Sequence, residues 1–323
     1  MTTTELFSGL KPITLDCLSV FEPFYQERAR HYALPAFKQS VLVLVYTGRV
    51  FYKILTGANG KILLIVKNTK IYGRLGVQMP IAPISLSGSV ADERAVIQAA
   101  LRFGVSLRAT NEDIIRYRIP RNLCSDASGT YNPDSREYIY NAVNGKAMTG
   151  SQYRKQRYQV KRITQSSGFS LMTGVHPDAD ALVQNWDARY KQVNGERTDQ
   201  QSLWRLIKQA AQMTDRITIR NIVVNGRLEC VSVLERLSEK HYVIVFRIRN
   251  YNSTLNDVGS AMQWVDCVGA VDEAKGTAFL NIGTAHTEGL SKSKESLVPF
   301  AHTRVFAVKS SKTDSQTLSR FFK

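Results

Sequence analysis

Hydrophobic positions along this chain follow two rhythms, and the changes of rhythm mark its elements. Residues 41–46, 50–55 and 61–67 are short apolar or β-branched runs, separated by Thr47-Gly48-Arg49 and by Gly57-Ala58-Asn59-Gly60. Such runs with turn residues between them predict strands joined by hairpins. A short strand over 11–16, turning at Thr14 or Asp16 into a helix through about Arg30, is expected before them. Residues 73–87, rich in glycine and proline, predict a loop with a short extended segment. Residues 92–103 are apolar at helical spacing with Gly104 placed as a stop, and strands are expected at 105–109 and 116–120.

The same alternation returns in the second half. A strand at 169–172 is followed by helices at 178–191 around Trp186 and at 200–213 around Trp204. Three β-rich runs, 217–224, 228–237 and 241–249, are joined by Asn225-Gly226-Arg227 and Ser238-Glu239-Lys240, which is strong hairpin chemistry. A helix at 258–268, a strand at 278–282 and a helix at 290–297, stopped by Pro299, complete the pattern. Residues 124–133 are polar and turn-rich, so a boundary is expected near 130, giving domains 1–130 and 131–323.

The segment that opens the second domain carries the least generic pattern. In Met148-Thr-Gly-Ser-Gln-Tyr-Arg-Lys-Gln-Arg-Tyr-Gln-Val-Lys-Arg-Ile163, Tyr153, Gln156, Val160 and Ile163 form one mostly apolar stripe. Arg154, Lys155, Arg157, Lys161 and Arg162 cover much of the rest with no acidic residue among them, so no i to i+4 pairing neutralises that face. Tyr153 and Tyr158, interleaved with these cations, complete a candidate surface for nucleic acid or another anionic substrate.

Charge extends that reading to the whole chain: 43 Lys and Arg against 27 Asp and Glu give a formal net charge of +16 in 323 residues. An anionic partner is expected, whether tRNA, DNA or a phosphorylated cofactor, and the positive surface also allows peripheral attraction to anionic lipid. No run approaches the roughly 20 apolar residues of a membrane helix. The start, Met-Thr-Thr-Thr-Glu, lacks signal-peptide regions, so a cytoplasmic protein is expected. Cys17, Cys124, Cys230 and Cys267 form no CxxC pair and the five histidines no HExxH motif, so no metal is expected.

Helices feeding an antiparallel meander, then a helix, a strand and a helix, is the order required by the fold of the GCN5-related N-acyltransferases. Glu137-Tyr-Ile-Tyr140, then Gly150-x-x-Tyr153-x-Lys155-x-Arg157-x-x-Val160-x-x-Ile163, resembles the soluble relatives of the C-terminal catalytic domain of phosphatidylglycerol lysyltransferases. Glu288-Gly-Leu-Ser-Lys-Ser-Lys294 with Pro299 downstream, and the opening Leu10-Lys-Pro-Ile-Thr-Leu15, are similar to the same family. The resemblance spans nearly the whole chain. It implies an α/β (α+β) fold of two tandem acyltransferase-like domains with mostly antiparallel sheets, the second carrying the site, and an acyl-CoA or aminoacyl-tRNA donor. The chain departs from the family at Tyr158, where asparagine is common, and at Ile282-Gly-Thr-Ala-His-Thr287, where acidic residues are common. An acetyl-CoA loop of Arg or Gln followed by spaced glycines is absent.

Acyl transfer needs an acceptor held near the donor carbonyl and a group to take its proton. Glu235 on the middle strand of the second meander and His286 before the last helix are the candidate bases. The junction after the meander offers Arg247, Arg249, Asn250, Gly259 and Ser260 to a donor phosphate at a helix start, with Lys292 and Lys294 nearby on the last helix. The leading expectation is an acyl or aminoacyl transferase acting on an amine or hydroxyl. The alternatives are an acyltransferase acting on a modified DNA or RNA base, and a nucleic-acid-binding module without catalysis.

Overall fold

The hairpin chemistry of the sequence reappears as antiparallel ladders in the computed structural model, which describes residues 1–71, 74–126, 136–194, 199–284 and 288–309. The chain divides into two units: residues through Glu137 with the strand from His302, and Tyr138–Gly283 with Glu288–Ala301.

The first unit opens with α1 (Thr3–Phe7), capped by Thr2 and Glu5, then β1 (Lys11–Pro12), α2 (Cys17–His31) and α3 (Val41–Thr47). A meander follows, β2 (Val50–Gly57), β3 (Gly60–Ile71) and β4 (Arg74–Met79), with β5 (Ile84–Ser85) pairing to β3. The β2–β3 register runs from Val50↔Lys67 to Gly57↔Gly60 and closes on Ala58-Asn59. After α4 (Val90–Arg102) comes β6 (Ser106–Thr110), parallel to β4 at Gln78↔Ser106 and Met79↔Leu107, then α5 (Asn111–Tyr117) and β7 (Cys124–Asp126). The core gathers Leu64, Val66, Val77, Met79, Val96, Ile97 and Leu107.

Three expectations for this unit are corrected. Residues 41–46 are helical, because Ser40 accepts the Val43 amide at 3.0 Å as an N-cap and Gly48, at φ +63°, ends the turn. A run that is apolar at every position cannot reveal its own period. Residues 116–120 are not a strand; Thr110 and Asp113 form a capping box, with the Thr110 amide donating to Asp113 at 2.8 Å, and start α5. Residues 74–79 and 84–85, within the expected loop with one short extended segment, form two strands, β4 and β5.

The second unit begins with β8 (Arg136–Asn141), α6 (Ala142–Ala147) and, after a 3-10 turn at Ser151–Tyr153, the basic helix α7 (Arg154–Thr164). β9 (Ser170–Thr173), α8 (Ala179–Asn194) and α9 (Gln200–Met213) lead to the meander β10 (Ile217–Val224), β11 (Arg227–Arg236) and β12 (His241–Arg249). Then come α10 (Val258–Ala274), β13 (Phe279–Thr284) and α11 (Glu288–Glu295). Strand order is β8-β13-β12-β11-β10-β9. α10 runs past the expected end at 268, and Lys275 stops it in the left-handed region at φ +51°.

The last strand, β14 (Ala301–Val308), has no counterpart among the expected elements and completes the first unit, antiparallel to β6 from Val305↔Thr110 to Val308↔Leu107 and to β7. Each unit is a mixed, mostly antiparallel sheet flanked by helices, as the sequence predicts. Among the described residues no helix is long and apolar enough to cross a membrane.

Candidate active site

β12 and β13 begin as a parallel pair, His241↔Phe279, Tyr242↔Leu280 and Val243↔Asn281, and then part, while β12 stays with β11 as far as Arg249. The register between β11 and β12 shifts where Leu234 faces Ile244 and Val233 faces Phe246, leaving Val245 as an extra residue. Such a bulge bends its strand and increases its twist, which carries β12 away from β13. Strands that part stop serving each other's ladder; on β13 the Gly283 amide and the Ile282 and Gly283 carbonyls are answered by Asn281 and Lys294, so the backbone groups offered to a ligand are those of β12.

At the last shared rung, Glu235 lies opposite Val243 on β11 and Asn281 opposite Val243 on β13, so two polar residues flank one valine across three strands. Both are buried, at 1% and 0% exposure. The Asn281 side-chain oxygen accepts the Gly283 amide at 2.7 Å, fixing the backbone just past the rung.

Under α10 the sheet carries charge. Asp266, fully buried, accepts from Ser232 at 2.6 Å and from the Arg247 guanidinium at 2.5 Å. Arg247 also donates to Gln263 at 2.9 Å, and Arg220 pairs with Glu273 at 2.5 Å and approaches Asp266 at 3.6 Å. Gly269 makes room for this arrangement, since a β-carbon there would lie 2.1 Å from the Arg220 guanidinium. Burial pushes the neighbouring Cys230 and Cys267 thiols up to about 12, which keeps them protonated and unreactive at neutral pH.

The residues expected to hold a donor phosphate separate into two groups. Arg247 is answered inside the unit by Asp266 and Gln263, and Lys294 is buried, donating to the Ile282 carbonyl at 2.6 Å and the Gly283 carbonyl at 3.2 Å, so it fastens α11 to the end of β13. Asn250 donates to the Leu228 carbonyl at 3.2 Å and Ser260 to Gln159 at 2.9 Å. Arg249 and Lys292 are exposed, and Gly259 faces open space. The N-terminus of α10 is occupied by Asp257, which accepts Gln159 at 2.9 Å and Arg162 at 2.6 Å. A carboxylate already offsets the positive helix end there, so a phosphate would have to compete with it. His286 lies outside the described residues.

The basic helix keeps its predicted stripe. Tyr153 is buried with Met148 and Val160 beside Trp264, so its ring is a core element and not a surface one, while Gln156 and Ile163 are buried on the same side. Arg154, Lys155, Arg157, Tyr158, Lys161 and Arg162 are exposed. Arg157 donates to the carbonyls of Met148 and Gly150, holding the turn before the helix, and Arg162 is paired with Asp257. Arg154, Lys155 and Lys161 have no hydrogen bond or ion pair among the described residues.

The charged network under α10 was not legible in the sequence. Its members are Arg220, Ser232, Arg247, Gln263, Asp266 and Glu273, scattered over four elements, and only the register of the meander against α10 brings them together. Glu229, an extra residue where the β10–β11 register shifts, was also missed; it is buried, and its carbonyl accepts the Asn250 amide at 2.8 Å. Among the described residues no group of three or more His, Cys, Asp or Glu side chains is gathered as a metal would require.

No family model and no curated protein matches the chain. Solved structures match it along nearly its full length. A conserved protein of unknown function from Bacteroides thetaiotaomicron VPI-5482 has TM-score 0.66 at 13% identity, covering 94% of this chain and 100% of that one. FemX has TM-score 0.66 at 9% identity, covering 95% and 98%. L-PGS from Bacillus licheniformis has TM-score 0.60 at 10% identity, covering 97% of both chains. The fold is shared with FemX and L-PGS, and its element order is the one expected of the GCN5-related N-acyltransferases. The acyltransferase order of meander, helix, parallel strand and helix is met in the second unit by β10 to β12, α10, β13 and α11. In the first unit it is met by β2 to β4, α4, β6 and α5. At identities this low the acyltransferase likeness is one of fold.

Proposed function

We propose that the protein transfers an aminoacyl group from an aminoacyl-tRNA to an amine, with the reaction centred where β12 parts from β13. The single observation that carries this reading is the opening beyond Val243↔Asn281 with its bulge at Val245, beside the buried Glu235. In the step proposed, the acceptor nitrogen bonds to the ester carbonyl carbon and the bond to the ribose oxygen breaks. The amine proton passes to Glu235 and from there to the departing oxygen. Backbone amides released from the ladder at the bulge are suited to the developing oxyanion. A hydroxyl acceptor would follow the same course. Acyl-CoA is the alternative donor, disfavoured by Asp257 at the helix end that would otherwise receive a pyrophosphate.

The test is to incubate the purified protein with labelled aminoacyl-tRNA or acyl-CoA and a panel of amines, alongside Glu235→Gln. Transfer from aminoacyl-tRNA, lowered roughly 100-fold or more by Glu235→Gln, is the expected result. Transfer from acyl-CoA alone would overturn the donor, an unchanged rate in the variant would overturn the role of Glu235, and no transfer from either donor would overturn the transferase reading.

A second reading, in which nucleic acid is the acceptor, draws on the exposed Arg154, Lys155 and Lys161 around Tyr158, which is 65% exposed. Label appearing covalently in DNA or RNA would favour it. The same surface suits a peripheral contact with anionic lipid, which vesicle co-sedimentation would reveal.

A further inference from the structure

The β12–α10 loop and α8 bring three aromatic rings into one series. Trp186 stacks on Tyr190, one turn along α8, with centroids 5.0 Å apart and planes at 21°. On its other contact Trp186 meets Tyr251 at 6.1 Å and 29°. The Arg249 guanidinium lies 5.7 Å from the Tyr251 centroid. Tyr251 is 44% exposed, and Trp186 and Tyr190 are half-buried. Rings that serve only a core are covered; this series ends at solvent, at the loop leaving the strand that opens from β13.

The charged residues beside the rings along the chain are three cations and one acid. Arg249, Arg189 and Lys191 are exposed; among the described residues Arg189 donates to the neutral Gln192, at 2.9 Å. Asp187, on the same turn of α8 as Trp186, accepts the Gln201 amide at 3.2 Å. Near-parallel rings beside cations are what unpaired bases and their phosphates need, because every base has a π-face to stack and a backbone charge to neutralise. Bases inside a duplex are already stacked and cannot use such a surface, so it selects an unpaired end.

We infer that Trp186, Tyr190, Tyr251 and Arg249 form a stacking platform for the unpaired 3′-terminal nucleotides of an RNA. The inference rests on the aminoacyl-tRNA reading above, since it assigns the surface that would receive the end of the RNA carrying the aminoacyl ester.

The test compares two labelled RNA hairpins by fluorescence anisotropy at one salt concentration, one with a short unpaired 3′ end and one blunt. The unpaired end should tighten binding to the wild-type protein. Tyr251→Ala should weaken binding of that hairpin about 5- to 100-fold, the range for losing one base–aromatic stack, and leave the blunt hairpin unchanged. Tyr251→Phe, which keeps the ring, should bind as wild type does. Equal weakening of both hairpins, or of neither, would overturn the platform, as would displacement of the unpaired-end hairpin by coenzyme A, which would assign the rings to a free adenine nucleotide. Ring-dependent binding with no aminoacyl transfer would leave the platform standing and overturn the functional reading. Transfer that survives Tyr251→Ala with no change in hairpin binding would do the reverse.

Discussion

The two units run through the same order of elements and differ in what lies between the crossover helix and the sheet. In the first, α4 packs Val96, Ile97 and Ala100 on Leu64, Val66, Val77 and Leu107, an apolar layer, with Asp92 and Glu93 at its first turn accepting the Asn59 and Ser85 amides. In the second, α10 packs Val258, Ala261, Met262 and Val265 on Ile222, Val224 and Cys230, and then, further along, sets Asp266 and Glu273 against Arg220 and Arg247. The parallel pairs differ as well. β4 meets β6 only at its last two residues, Gln78 and Met79, whereas β12 meets β13 at its first three and runs on alone beside β11. The first unit keeps its buried ion pairs, Arg28 with Asp113 and Arg116 with Glu93, between helices; the second sets its own between α10 and the sheet, behind a strand opened by a bulge. Buried charge adds little net stability when paired but makes any other register costly, so it suits a helix that must sit in one place.

The sharpest way to break this contrast is to unpair the network. Asp266→Ala leaves two buried guanidinium groups short of their carboxylate and should cost about 3–5 kcal/mol in chemical denaturation. Ile97→Val, in the apolar layer of the first unit, should cost about 0.5–1.5 kcal/mol. Equal costs would mean that the charged layer is no more demanding than the apolar one.

Gly269→Ala tests the same layer from the helix side. The new methyl group would meet Arg220, and because that guanidinium is held by Glu273 and Asp266 it cannot withdraw freely. A loss of about 1–3 kcal/mol is expected, with Arg220 displaced. Wild-type stability would show that the guanidinium has room to move.

The smallest effect concerns cations that are not paired. Burial, with the nearby charges of Arg108 and Lys67, lowers the Lys38 amine from 10.5 to about 8, with Glu137 opposing the shift. Between those values the unfolded chain holds the proton that the folded chain has lost, so stability should rise as pH increases from about 8 to 10.5 and be lowest, for this group, below 8. Lys38→Met should raise the melting temperature by a few degrees at pH 7 and flatten that rise. An unchanged pH slope would show that Lys38 is not the group responsible.

Much of the second unit was legible in advance, for reasons visible in particular residues. Asn225-Gly226 and Ser238-Glu239-Lys240 fix hairpins locally, so β10, β11 and β12 fall where alternation and turn residues put them. α7 presents its cations and buries Val160 and Ile163 because a 3.6-residue period leaves little choice. The failures were equally physical. The run at 41–46 carries no period because it is apolar at every position, and β14 follows Pro299, a residue that reads as an ending. Tyr153 was counted both on the apolar stripe, where its spacing puts it, and among the surface rings, where its cationic neighbours suggest it; the structure keeps it on the stripe.

What the sequence determined alone was local: turns, caps, helical and strand periods, the excess of positive charge, and hence a chain of alternating elements in the acyltransferase order. Tertiary structure decided everything that depends on pairing at a distance. It chose which strand β12 leaves, which acid Arg247 meets, that Asp257 occupies the helix end expected to hold phosphate, and that Tyr251 comes to rest on Trp186. The reason is that a residue's type sets the interactions it can make, while register, bulges and the packing of helix on sheet set which partner lies within reach.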